Sequence, residues 1–121
     1  MQNTVTLTFD DVLIELKKYI SNEKDILEVK EAYDFAHEMH EGQYRKSGEP
    51  YIVHIIHVGY ILATLRVGPQ TVVAGLLHDV IEDTDITEEE FIKKFGEDIF
   101  SIVDGVTKIG NIEFNDLKEY Q

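Results

Sequence analysis

The sequence predicts an all-α domain of about six helices. Apolar residues recur at helical spacing in successive stretches, Gly, Pro and Ser-Asn breaks fall between them, and no stretch alternates apolar and polar residues as a half-buried strand would. With 121 residues the chain fits a single domain with a small core. No internal repeat, low-complexity block or linker divides it.

Residues 1–7 read as an extended leader, after which Thr8 is placed to cap a helix through Val12, Leu13, Leu16, Tyr19 and Ile20. Ser21-Asn22 breaks it. A longer helix is expected from about Lys24 to Gln43, with Ile26, Val29, Ala32, Tyr33, Ala36 and Met39 or His40 as its core stripe and Gly42 at its end. His37 and His40 lie three apart and can share a face, structural roles being the plainer reading. The next segment, Arg45-Lys46-Ser47-Gly48-Glu49-Pro50, is a loop by composition. It can present Arg45, Lys46 and Ser47 to an anion, and an Arg can also stack on a planar base. A surface turn is the plain alternative.

Pro50 opens a helix from Tyr51 to about Arg66 that is apolar almost all round, so it is expected at the centre of the fold with His54 and His57 buried or in a cleft. Val67-Gly68 closes it, and Pro69 starts a helix expected to run unbroken to Asp83. Thr84-Asp85-Ile86 is a turn. Thr87 and Glu90 form a capping box for a short helix from Glu88 to Lys94 that stops at Phe95-Gly96. A last helix, Glu97 to Val106, puts Ile99, Ile102, Val103 and Val106 on one face, and Gly110 to Gln121 reads as a loop or fraying tail.

Several function classes are excluded by composition. The chain has no Cys, so any metal must be held by His and carboxylate. No apolar run approaches the ~18 residues that span a bilayer, and no signal-peptide layout is visible, which makes the cytoplasm the expected address. Net charge is −13, from 24 acids against 11 Lys plus Arg, which argues against direct nucleic-acid binding. An anionic substrate would need a local cation, either a bound metal or the Arg45-Lys46 doublet.

The chemistry concentrates in Val73-Ala74-Gly75-Leu76-Leu77-His78-Asp79-Val80-Ile81-Glu82-Asp83-Thr84, an apolar run ending in one imidazole and three carboxylates within six residues. On a helix His78 lies over Glu82 and Asp79 over Asp83, so the four converge. A solvated helix end would account for Glu82 and Asp83. It accounts poorly for His78-Asp79, which Leu76, Leu77, Val80 and Ile81 anchor in a core. With His54 in the first turn of the preceding helix, three donors emerge: His54, His78 and Asp79. Two imidazoles and a carboxylate suit Mn, Fe or Zn, with water, substrate oxygen or another carboxylate filling the remaining positions. Water acidified by such an ion is a nucleophile at neutral pH, and Glu82 and Asp83 are placed to orient it or move its proton. That describes hydrolysis of a phosphoester or phosphoanhydride.

These residues resemble the HD superfamily of metal phosphohydrolases. More narrowly, the run from Arg45 to His54, the run from Ala74 to Thr84, and Val103-Asp104-Gly105-Val106-Thr107-Lys108 resemble the hydrolase domain of the bacterial Rel/Spo (RelA/SpoT-type) alarmone synthetase/hydrolase enzymes. The resemblance covers residues 30–110 and implies Mn2+-dependent removal of the 3′-pyrophosphate of ppGpp or pppGpp, giving GDP or GTP. It implies His54, His78 and Asp79 as metal ligands and Glu82 with Asp83 as the groups that activate water. Arg45 and Lys46 would lie against guanine and polyphosphate, with Ser47 lining the nucleotide pocket. The alternatives are another HD-type nucleotide phosphohydrolase, such as a nucleotidase, or a non-catalytic nucleotide-binding module.

Two departures accompany the resemblance. Ile55 stands where the family usually has Pro, and His57 where it usually has Gln. The family's last metal ligand, an Asp in a Leu-Ala-Asp-Arg-like motif, has no counterpart within residues 1–121, and neither Asp104 nor Asp116 sits in that context. Residues 1–121 are therefore expected to form a partial HD domain, truncated at its C-terminal side and nearly inactive alone. Oligomeric state is not legible.

Overall fold

A computed structural model describes residues 6–106, and no strand occurs among them. Six helices follow in order: α1 (Phe9–Lys17), α2 (Glu23–Met39), α3 (Tyr51–Thr64), α4 (Pro69–Leu77), α5 (Val80–Asp83) and α6 (Glu88–Phe95). Residues 97–106 are helical as well. The expected tail, 110–121, and most of the expected leader lie outside the described residues.

The helices begin where backbone N–H groups find acceptors. Thr8 caps α1 in a reciprocal box with Asp11, and Thr87 does the same for α6 with Glu90. Asn22 caps α2 through the N–H groups of Lys24 and Asp25. Pro50 precedes α3 and Pro69 opens α4, where a missing N–H costs nothing. Gly96, at φ 93°, ends α6 in the left-handed region that favours glycine.

At the centre is α4, packed on both α2 and α3, while α1 packs on α3. Five of its nine residues, Val72, Val73, Ala74, Leu76 and Leu77, are buried. As expected, α3 is also central, packing on α1, α2 and α4, but one side of it is open: Ile61 is 57% and Leu65 66% exposed, and His57 shares that outward side. A helix that is apolar all round gives no sequence signal of which side faces the core. Ile55, where the resembled family has Pro, is fully buried.

The α3 and α4 helices come close at Gly75, where an added Cβ would stand 2.3 Å from Leu62 Cδ1. Their connection is pinned from α1, since the Tyr19 hydroxyl donates to the Val67 carbonyl at 2.7 Å and the Arg66 guanidinium lies 5.1 Å from the Tyr19 ring centroid. This antiparallel seam brings the start of α3, with His54, to the end of α4, with His78.

Candidate metal centre

The helix expected from Pro69 to Asp83 is interrupted at His78-Asp79, which separate α4 from α5. A helix end leaves its last carbonyls without N–H partners. The His78 imidazole supplies one, its Nδ1–H donating to the Gly75 carbonyl at 2.7 Å, the acceptor a continuing helix would give to the Asp79 N–H. Apolar spacing runs on through Val80 and Ile81, so periodicity does not reveal the break. The Asp79-over-Asp83 relation survives through a backbone bond, Asp83 N to Asp79 O, of 2.9 Å.

Asp79 stands at the N-cap of α5, yet its side chain makes no capping bond. It accepts instead from the Tyr51 hydroxyl and lies with Oδ2 2.9 Å from His78 Nε2. The consequence is a cluster in which His54, His78 and Asp79 each offer one ligand atom, all within 4.8 Å of one another. The three donors expected from the sequence are brought together.

Their protonation follows from their surroundings. Bonding to Asp79 raises the His78 pKa, against burial, with the Gly75 carbonyl and the charges of Asp79 and Asp83 adding to the rise. Burial pushes the Asp79 carboxyl up, but hydrogen bonds from His78 and Tyr51 outweigh it and the net shift is downward. Burial, joined by the positive charge of Arg45, lowers the His54 pKa. Burial and the bond to Asp79 push the Tyr51 phenol upward, so it remains a donor.

This donor set fits a divalent metal. The surroundings of His54 disfavour its protonated form, and the Gly75 carbonyl occupies Nδ1 of His78, which leaves Nε2 as the donor on the side of Asp79. Beside the cluster is an apolar cleft of about 320 Å3 that shares His54 and His78 and is lined by Val58, Leu62, Ala74 and Ile102. Low polarity on that side strengthens electrostatic interactions at the ligands.

The remaining sequence-predicted residues divide. Glu82 and Asp83 are exposed on α5, and the charge of Asp83 acts on both Tyr51 and His78. Arg45, Lys46 and Ser47 form an exposed turn closed by Arg45 N to Glu49 O and Gly48 N to Arg45 O, each 2.8 Å, with Gly48 at φ 94°. The charge of Arg45 reaches Tyr51 and His54. His57, expected to be buried or in a cleft, is exposed. His37 is exposed whereas His40 is 3% exposed, so the two do not share an environment.

His40, expected in a structural role, completes the surroundings together with Tyr51 and Gln43, whose part the sequence did not mark. Tyr51 stacks on His40 at 4.5 Å between ring centroids and meets His54 edge-on at 5.4 Å. His40 Nδ1 lies 3.0 Å from Gln43 Oε1, and Gln43 Nε2 donates to the Asp83 carbonyl at 3.0 Å. The available signal was spacing: Tyr51 and His54 are three apart on one helix face, as are His40 and Gln43 across the end of α2.

Comparison with known proteins gives the lineage. Residues 32–120 match the family model described as HD domain. The guanosine-3′,5′-bis(diphosphate) 3′-pyrophosphohydrolase of Spiroplasma citri is 46% identical over 103 residues, 85% of this chain and 14% of that protein. The protein of the same name from Vibrio cholerae serotype O1 is 43% identical over 93% of this chain and 16% of its own length. The bifunctional (p)ppGpp synthase/hydrolase SpoT of Escherichia coli K12 is 44% identical over 82% of this chain and 14% of its own. The chain thus spans about one seventh of the length of the curated relatives it matches. With most of its residues matching the family model, the chain belongs to the HD-domain family.

Proposed function

We propose that this chain forms the hydrolytic metal centre of a guanosine-3′,5′-bis(diphosphate) 3′-pyrophosphohydrolase that uses Mn2+ and acts on ppGpp or pppGpp. The observation that supports it most is the convergence of His54, His78 and Asp79 within 4.8 Å in a chain 46% identical to a relative bearing that name. A divalent ion held by these three side chains supplies the positive charge that acidifies water and stabilises the phosphoryl oxygens.

The protein's own residues do the rest. Asp83, one turn beyond Asp79, orients the attacking water and takes its proton, with Glu82 beside it. The positive charge of Arg45 acts on Tyr51 and His54, which suits it to guanine or to the polyphosphate, and Lys46 and Ser47 extend that turn. In a chain of net charge −13, this local cation and the ion offset a field that otherwise repels the substrate. Water attack breaks the bond between the ribose 3′ oxygen and phosphorus. The products are pyrophosphate and GDP or GTP.

The three donors found among the described residues leave coordination positions open. The 121-residue chain alone is therefore expected to bind Mn2+ weakly and turn over slowly. The test measures pyrophosphate release from ppGpp with Mn2+, using this chain and a chimera continuing it with the downstream sequence of the Spiroplasma citri relative. Faster release by the chimera, with nucleoside monophosphates untouched, is the expected result. Turnover of a nucleoside monophosphate but not ppGpp would assign the site to a nucleotidase. Nucleotide binding without any turnover would make it a binding module.

A further inference from the structure

Resting on the metal-centre reading above, we propose that Tyr51 is the positioning residue of the centre, setting two of its three ligands at once. Its hydroxyl donates to Asp79, and its ring meets that of His54 at a steep angle, 5.4 Å between centroids. Among the described residues Asp79 has no other hold of this kind from outside its own helix junction. It makes no capping bond, and its remaining partner, His78, is a fellow ligand. A carboxylate on a short side chain at a helix junction has rotamer freedom, which an outer hydrogen bond removes, fixing the oxygen presented to the ion.

Tyr51 is itself held. Its other face stacks on His40 with planes 25° apart, and His40 is 97% buried, being 3% exposed. Gln43 fixes that imidazole through Nδ1 and ties the assembly to the Asp83 carbonyl on α5. A backbone bond from Tyr51 N to Gln43 O of 3.0 Å closes the unit. His40, Gln43 and Tyr51 thus brace the helix junction from the α2 side, and Tyr51 is the member that touches the ligands.

The discriminating variant is Tyr51→Phe, which keeps the ring, its stack on His40 and its contact with His54 but removes the hydroxyl. The full 121-residue chain is titrated with Mn2+, free ion being read by electron paramagnetic resonance. Co2+ d–d absorption reports the coordination, and thermal melting in EDTA reports the fold. Loss of an outer hydrogen-bond partner to a metal ligand costs roughly 10–100-fold in metal affinity. That loss is expected in Tyr51→Phe, with an altered Co2+ spectrum and an EDTA melting curve like that of the wild type. Tyr44→Phe, an exposed tyrosine, serves as the unaffected control. If Tyr51 acts only through its ring, Tyr51→Phe will bind Mn2+ as the wild type does, and the proposal is overturned while the metal reading stands. A large drop in EDTA melting temperature would also overturn it, making the hydroxyl a folding element. Failure of the wild type to bind any Mn2+ would overturn the metal reading itself and this inference with it.

Discussion

Replacing Asp79 with alanine is expected to abolish Mn2+-dependent pyrophosphate release from ppGpp while leaving the helices folded. Asp79 is the only carboxylate of the three-donor cluster, and the two donors that would remain are neutral imidazoles when they bind metal. The loss should exceed the roughly 10–100-fold that removal of an outer partner costs. The fold should tolerate the change because Asp79 makes no capping bond to α5. Its hydrogen-bond partners are groups of the site, Tyr51 and His78. Circular dichroism in EDTA checks the fold, and the chimera described above provides the activity. The exposed Asp85→Ala serves as control. Wild-type release by Asp79→Ala would contradict the assignment.

The second large effect lies away from the site. Phe91 is the largest of the fully buried side chains among the described residues, and its ring meets Phe95 at 5.3 Å and Phe100 at 6.0 Å between centroids. Phe91→Ala therefore deletes the centre of the cluster that joins α6 to the helical run 97–106. Such deletions cost about 3–5 kcal/mol, against a total stability of about 5–15 kcal/mol for a domain. Urea unfolding in EDTA should show a loss of this size. Mn2+ affinity of the molecules that remain folded should stay at the wild-type value, because none of the three ligands touches this cluster. A loss below about 1 kcal/mol would show that the site collapses around the missing ring.

Much of this was legible in the sequence because the signals are local. Thr8 and the Thr87-Glu90 pair marked helix starts, and both close as capping boxes. The convergence of His54, His78 and Asp79 was legible for a related reason. Pro50 places His54 in a first turn, and His78-Asp79 end an apolar run, so both fall at helix ends, where side chains can converge. What stayed hidden depends on three dimensions. The break at His78-Asp79 is made by an imidazole bonding to the Gly75 carbonyl, while the apolar spacing continues across it. The exposure of His57 follows from which side of α3 meets α4, and nothing in a helix so evenly apolar encodes that choice. Tyr51 reads in sequence as one more aromatic residue at a helix start. Its hydroxyl acquires meaning only when Asp79, 28 residues later, turns away from its cap position toward it.

The central claim is that two of the five histidines, His54 and His78, hold a divalent ion together with Asp79. Its most direct measurement is a titration of the 15N-labelled chain with diamagnetic Zn2+, following both ring nitrogens of every imidazole by long-range 1H–15N NMR. His54 and His78 are expected to shift together, with His78 coordinating through Nε2 while Nδ1 keeps its proton on the Gly75 carbonyl. His37, His40 and His57 should keep their uncoordinated nitrogen shifts. Coordination through His57 or His37, or no coordination at His78, would contradict it.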